Sequence, residues 1–310
     1  MTIARNHQIF LNEPTYFHLI SRCVRRAYLC GKDKHSGKRY DHRKRWLKKR
    51  LFELSELFFI DLYGYAIMSN HYHLVIKTRP DESHVASNQQ IAQRWCRVFS
   101  CQSNRRDARQ KDLCDDIEKI NLYRKRLCDI SWFMRCLNEA LARMANKEDN
   151  CSGRFWQGRF RSQLLLDESA VYTCMVYVDL NPVRAGIALS PPEYKFTSVS
   201  HRIIHQKINE KIKPLNESRE YLDLQLSDYL NLVNETAMCV QKKKPENVFR
   251  NASPILARLN IKIPGYINAM QSLTGQFYRA IGRVDQLEQL SALLNLKWVR
   301  GRRMSLRLFY

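Results

Sequence analysis

Asp61-Leu-Tyr-Gly-Tyr-Ala-Ile-Met68, Ser69-Asn70, His71-Tyr-His-Leu-Val-Ile-Lys-Thr78 is the stretch that decides the fold. Two β-rich apolar runs flank a Ser-Asn turn signal, which predicts a pair of antiparallel strands. Working outward, Tyr16 to Val24 (YFHLISRCV) alternates and predicts a first strand, and Phe160 to Leu166 (FRSQLLL) predicts a later one. Helices are expected between and after them. Asp41 to Phe59 carries Trp46, Leu47, Leu51, Leu54 and Leu57 or Phe58 on one side, and Asn88 to Gln102 and Ile130 to Lys147 follow. Glu168 to Leu180 is a further helix, with Asp167 as its cap. Residues 25–40 read as a polar loop, and residues 103–127 as a charged insertion, helical or mobile. Leu189 to Phe196 (LSPPEYKF) is a linker candidate. Beyond it the pattern is mostly helical: Glu220 to Val233, Ala252 to Leu259, and a helix opening near Asp285 with the capping-box-like Asp285-Gln-Leu-Glu288. The chain thus divides into an α/β part, residues 1–200, and a helical basic part, residues 201–310.

The composition narrows the class. Of 310 residues, 52 are Lys or Arg and 30 are Asp or Glu, a formal net charge of +22. Hydrophobic residues make up 45% of the chain, enough for a sizeable core, which excludes a disordered basic tail. No run approaches the roughly 18 apolar residues of a membrane span, and the N-terminus lacks the apolar core of a secretory signal. The ten cysteines contain no C-x-x-C pair, so buried reduced thiols and a cytoplasmic location are expected rather than disulfides or a zinc site. The basic excess is spread along the chain: 34 basic against 21 acidic residues in 1–200, and 18 against 9 in 201–310. Aromatic residues interleave with it at Arg154-Phe-Trp-Gln-Gly-Arg-Phe-Arg161. A polyanion that offers both phosphates and stackable bases suits that mixture. A solvated basic surface is the plainer reading of charge alone.

Three segments carry chemistry. In His71-Tyr-His73 the two imidazoles stand on one face of a strand, at a spacing that can chelate one metal ion. The same pattern also fits two satisfied histidines at a strand end, a position expected to lie near the edge of the sheet. Tyr177 and Asn181 are four residues apart at a helix end, so their side chains are neighbours. They offer a phenol, which base or metal can activate, and an amide oxygen that a hard cation accepts. A tyrosine on so apolar a helix also reads as core. Ser152-Gly-Arg-Phe-Trp-Gln-Gly-Arg-Phe160 packs cations and rings into one loop, readable as a binding element or as a loop anchored by Trp156.

Taken together in their order along the chain, these motifs change the reading. His18-Leu-Ile-Ser-Arg22, Tyr65-Ala-Ile-Met-Ser-Asn-His-Tyr-His-Leu-Val75, Gly153-Arg-Phe-Trp-Gln-Gly-Arg-Phe160, Tyr177-Val-Asp-Leu-Asn-Pro-Val-Arg-Ala-Gly-Ile187 and Pro191-Pro-Glu-Tyr-Lys-Phe-Thr-Ser198 resemble the single-tyrosine HUH transposases. Within them, the REP-associated tyrosine transposase group, of the insertion-sequence IS200-like family, is the nearest in pattern. The resemblance spans roughly residues 15–200. It implies an α+β fold, an antiparallel sheet with packed helices similar to a ferredoxin-like or RRM-like core, here with a helical C-terminal extension. It also implies that His71, His73 and Asn181 bind a divalent metal, Mg²⁺ or Mn²⁺, and that Tyr177 is the nucleophile. The implied reaction is cleavage and strand transfer on single-stranded or hairpin DNA through a 5′-phosphotyrosine. Tyr72 between the histidines, the insertion at 103–127 and the C-terminal region depart from the usual pattern.

Arg22, Arg25, Arg26, Arg154, Arg159 and Arg161, with Trp156, are the candidate DNA contacts. In the C-terminal region Lys297, Arg300, Arg302, Arg303 and Arg307 follow the last acid, Glu288, and suggest a grip on a duplex stem. A helical cap with a solvated basic face is the alternative. Two other functions fit the same features. One is a catalytically inactive or domesticated sequence-specific nucleic-acid-binding protein. The other is an RRM-like regulator, against which the third strand offers histidines where such a module needs rings. Monomer and homodimer are both open.

Overall fold

A computed structural model describes residues 13–24, 31, 37–99, 103–205, 212–213, 224–242 and 249–310. The elements run β1 (Tyr16–Arg22), α1 (His42–Leu57), β2 (Ile60–Ile67), β3 (His71–Thr78), α2 (Pro80–Val85), α3 (Asn88–Val98), α4 (Ser103–Asp115), α5 (Ile117–Leu127), α6 (Ile130–Glu148), β4 (Arg161–Leu165), α7 (Glu168–Asp179), α8 (Asn181–Arg184) and α9 (Ser198–Ile204). Then come α10 (Leu226–Lys242), α11 (Ala252–Arg258), α12 (Ile263–Gln276), β5 (Ala280–Ile281), α13 (Val284–Leu293) and α14 (Arg302–Leu308). The fold is α+β, with one sheet in the order β2-β3-β1-β4-β5. All its pairings are antiparallel except β4 with β5.

The predicted hairpin is β2 and β3. β3 is not an edge strand, however: it lies between β2 and β1, so the open end of its histidines is the end of the strand. Period-two alternation sorts its side chains. Tyr72 turns to α6, where its hydroxyl donates to Asn138 Oδ1 at 2.7 Å. Directly opposite residues share a face, and the register pairs Arg22 with His71, Ile20 with His73 and Arg161, and His18 with Gln163. The other face therefore collects His18, Arg22, His71, His73, Arg161 and Gln163. α7, buried from Ser169 to Asp179, packs against that face.

Two carboxylates fix the ends of α7. Asp167 caps it, with Oδ1 accepting from Ala170 N at 2.8 Å, and its Oδ2 accepts from Arg283 N, also at 2.8 Å. Asp179 is fully buried; Oδ1 accepts from Ser198 Oγ (2.5 Å) and Val199 N (2.9 Å), and Oδ2 from Tyr229 Oη (2.6 Å). Burial raises both carboxyls above the usual carboxylate range, and the donors around them oppose that shift. α7, α9 and α10 are thereby tied together around the helix that carries Tyr177.

The 103–127 insertion is helical, as α4 and α5. Trp95 of α3 stacks on Tyr123 of α5 at 4.1 Å between ring centroids. Residues 201–310 are less purely helical than their pattern suggests, because β5 extends the sheet beside β4. α12 also escaped the sequence reading: Pro264-Gly265 looks like a turn, yet Pro sits acceptably in the first turn of this helix. A Cβ on Gly265 would stand 1.9 Å from the Arg307 carbonyl oxygen, so only glycine lets α14 lie this close to α12. The helix near Asp285 begins at Val284, with Arg283 at the cap position and no side-chain cap bond, so the expected capping box is not formed. Cys128, Cys136, Cys174 and Cys239 are buried and unbridged; burial pushes Cys136 to about 11 and Cys128 to about 12, leaving little thiolate. Cys30 and Cys101 lie outside the described residues. No helix among the described residues is long and apolar enough to cross a membrane.

Candidate active site

A cleft of about 540 Å³ opens at the end of β3. His71, His73, Tyr177 and Asn181 all line it, together with Arg22, Arg159, Arg161 and Arg184. The sheet supplies the histidines and α7 the tyrosine. Asn181 opens α8, one turn beyond Tyr177, and its Nδ2 donates to the Tyr177 carbonyl at 3.4 Å. All four residues meet at this cleft. The ring centroids of His71 and His73 are 5.0 Å apart, and that of Tyr177 is 6.2 Å from His73.

Each histidine has its Nδ1 engaged: His71 with Asn70 Oδ1 at 2.6 Å, and His73 with His18 Nε2 at 2.8 Å. Nε2 is the nitrogen these bonds leave over, and both rings line the cleft. Burial makes imidazolium costly here. It lowers His71 to about 4, helped by the charges of Arg22 and Arg184, and holds His73 well below its ordinary value. Neutral imidazole is the form that binds metals. Among the described residues no group of three or more His, Cys, Asp and Glu side chains is placed to share a metal ion. Asn181, which also lines the cleft, carries an amide oxygen, a donor of another kind. Two imidazoles and an amide oxygen suit Mn²⁺, and Mg²⁺ less well because it prefers an all-oxygen shell.

The loop before β4 is zipped to the end of β1: Gln157 N donates to Arg22 O at 2.8 Å, and Val24 N to Phe155 O at 2.9 Å. That brings Gln157, Gly158 and Arg159 to the cleft. Trp156, expected to stack on DNA, turns the other way. Its indole donates to Asn138 O at 2.9 Å and its ring meets Tyr72 edge-on, so it anchors the loop on the α6 side of the sheet. Arg154 is exposed and does not line the cleft. Arg25 and Arg26 lie outside the described residues.

Several cleft residues were not singled out from sequence. Arg184 places its guanidinium carbon 4.1 Å from the centre of the Tyr177 ring and donates to Gln271 O at 2.9 Å. The hydroxyl of Tyr177 meets Thr274 Oγ1 at 3.5 Å. Arg161 is held by the same C-terminal segment, donating to the carbonyls of Thr274 (2.5 Å) and Phe277 (3.0 Å). α12 is interrupted at Ser272 (φ −154°, ψ 41°), and Thr274 and Phe277 follow that break. A spacing signal existed only for Arg184, two helical turns beyond Tyr177.

No protein-family model matches the chain, and no curated protein matches it. Among solved structures, that of a REP-associated tyrosine transposase bound to a REP hairpin aligns with a TM-score of 0.38 and 9% identity. The alignment covers 64% of this chain and 86% of that one.

A second basic concavity, of about 370 Å³, lies between α12 and α14, lined by Arg300, Arg303 and Arg307 with Asn268, Gln276, Gly301 and Met304. None of these three arginines has a carboxylate within ion-pair distance among the described residues, whereas Arg302 pairs with Glu288 at 3.2 Å. Gly301 turns the chain into α14 at φ +129°, a conformation open to glycine. Burial lowers the pKa of Arg161, Tyr278 and Tyr177 oppose that shift, and the charge of Arg300 adds a small push in the direction of burial. Trp298 beside it is 69% exposed.

The buried histidines make stability depend on pH. His18 is lowered to about 4 by burial, the Gln163 hydrogen bond opposing this, so in the folded metal-free protein it stays neutral where the unfolded chain binds a proton. Stability is full above the unfolded value near 6.5 and is lost as pH falls toward 4. Between pH 7 and pH 5 this one group costs about 2 kcal/mol. Urea melts of wild type and His18→Gln at both pH values are expected to show the smaller pH difference in the variant.

Proposed function

We propose that this protein is a metal-dependent single-stranded DNA endonuclease and strand transferase, a transposase acting at hairpin or palindromic DNA. The observation that carries the proposal is the convergence of His71, His73, Asn181 and Tyr177 on one arginine-bordered cleft. Residues 1–200 carry the chemistry in this reading, and residues 201–310 complete the cleft and extend the DNA contact.

Arg22, Arg159 and Arg184 draw a phosphodiester into the cleft and offset its charge. His71, His73 and Asn181 would hold Mn²⁺ or Mg²⁺, which would supply Lewis-acid polarisation of the phosphate when bound. Tyr177 Oη attacks phosphorus, the bond from phosphorus to the 3′-oxygen breaks, and the phenolic proton is lost to solvent while the leaving oxygen takes one up. The guanidinium of Arg184, 4.1 Å from the centre of the Tyr177 ring, holds that ring in place by a cation–π contact. The product is a 5′-phosphotyrosine and a free 3′-OH. Attack on that phosphotyrosine by another 3′-OH restores the tyrosine and joins strands without ATP.

The test uses a hairpin with a single-stranded flank, labelled in turn at its 5′ and 3′ ends, with Mn²⁺ or EDTA. Metal-dependent cleavage is expected, with the strand 3′ to the cut attached to protein. Tight binding with no cleavage on any flank would instead support the domesticated binding protein.

The Arg300–Arg303–Arg307 concavity is proposed to take phosphates of the duplex stem. Each phosphate contact adds about 0.9 to the slope of log affinity against log salt. Arg303→Ala with Arg307→Ala should flatten that slope for a hairpin while leaving the cut position unchanged. Binding measured at several salt concentrations checks it, and an unchanged slope in the folded variant would leave these helices a structural cap.

A further inference from the structure

Behind His73 runs a chain of buried polar groups that the proposed reaction does not use. His73 Nδ1 lies 2.8 Å from His18 Nε2, His18 Nδ1 lies 3.0 Å from Gln163 Oε1, and Gln163 Nε2 lies 2.6 Å from the Phe277 carbonyl oxygen. His18 and Gln163 are fully buried and His73 is 4% exposed, so water does not substitute for these partners.

We propose that His18 and Gln163 are positioning residues that hold His73 as its Nδ1–H tautomer, so that the lone pair of Nε2 faces the cleft. The inference deepens the metal-dependent reading above, since a metal ion is what that lone pair would receive.

The direction of the chain follows from its far end. A carbonyl oxygen can only accept, so the Gln163 amide must present its NH₂ to Phe277 and its oxygen to His18. His18 Nδ1 must then donate. In a neutral ring the other nitrogen, Nε2, is left as acceptor. His73 Nδ1 must therefore carry hydrogen. One proton arrangement satisfies every group, and it is fixed by a backbone carbonyl in the C-terminal region. Free imidazole favours the opposite tautomer, with hydrogen on Nε2, which has no lone pair there for a metal. A second partner behind a ligating histidine is the usual way a protein settles this choice. The strand register places His18 directly opposite Gln163 and one step diagonal to His73, so the geometry is set by pairing rather than by a mobile loop.

The test uses the full-length protein. In the metal-free protein labelled with ¹⁵N-histidine, long-range ¹H–¹⁵N spectra read each tautomer directly, with His18→Gln and His73→Ala assigning the signals. His73 is expected as Nδ1–H, and finding it as Nε2–H would overturn the proposal whatever the variants do. Mn²⁺ affinity is then measured by calorimetry. Gln163→Met and His18→Leu should each weaken it about 10–100-fold. His18→Gln keeps an acceptor for His73 and a donor for Gln163, and should stay close to wild type. A purely structural role predicts no such rescue, so His18→Gln as weak as His18→Leu would count against the relay. A folded Gln163→Met with wild-type affinity would also overturn it. Wild type that fails to bind Mn²⁺ at all would sink the metal-dependent function, while the tautomer spectrum still decides the relay.

Discussion

Tyr177→Phe is expected to abolish cleavage and the covalent adduct while leaving hairpin affinity near wild type. The substitution removes one oxygen. Its only described polar contact is the long 3.5 Å approach to Thr274 Oγ1, so the loss of stability should be at most about 1 kcal/mol. The ring keeps its place under Arg184 and beside His18 and His73, so the basic border of the cleft is undisturbed. No other tyrosine can take over from the same helix. Tyr172 is five residues earlier and 0% exposed, so its hydroxyl has no path to a phosphate in the cleft. Adduct formation that survives in Tyr177→Phe would remove Tyr177 from the mechanism.

The second large effect concerns the histidines. His71→Ala is the cleaner variant, because His71 is half-buried and its Nδ1 partner, Asn70, is its chain neighbour. Loss of one ligand should weaken Mn²⁺ binding and slow cleavage by about a thousandfold, if the ion supplies several kcal/mol to the transition state. Hairpin binding should persist, since the arginines remain. His73→Ala should lose cleavage as well, but it also strands the buried Nε2 of His18 at a cost of about 1–3 kcal/mol. Its melting curve must therefore be read beside its activity. Cleavage by His71→Ala at the wild-type rate would return His71 to the role of a satisfied strand-end histidine.

Much of this site was legible from local pattern. The bounds of β3, His71 and Thr78, follow from local sequence, because an apolar run there is fenced by Ser69-Asn70 and by Pro80. The i, i+2 rule put His71 and His73 on one face, and that face proved open at the strand end although the strand is interior. Tyr177 and Asn181 remained neighbours even though α7 stops at Asp179, because α8 continues the chain in a nearly helical path. What escaped depends on contacts between residues far apart in sequence. Nothing local marks Thr274 or Phe277 as part of the cleft, since both arrive after the break in α12, and α12 itself was hidden by Pro264-Gly265. His18 and Gln163 read as ordinary members of buried strands until the register set them side by side. Trp156 is ambiguous in sequence, because a tryptophan among arginines suits stacking on bases as well as it suits packing on Tyr72; the structure shows the packing.

In the proposed reaction Tyr177 becomes covalently joined to the 5′-phosphate of a cut strand. Peptide mapping by mass spectrometry, after wild-type protein is incubated with Mn²⁺ and a hairpin carrying a single-stranded flank, tests it most directly. The expected result is a nucleotide-modified peptide spanning Glu168 to Arg184 with the added mass on Tyr177, absent when EDTA replaces the metal. A modified residue elsewhere in the chain, or hairpin cleaved in the presence of Mn²⁺ with no modified peptide, would contradict the claim.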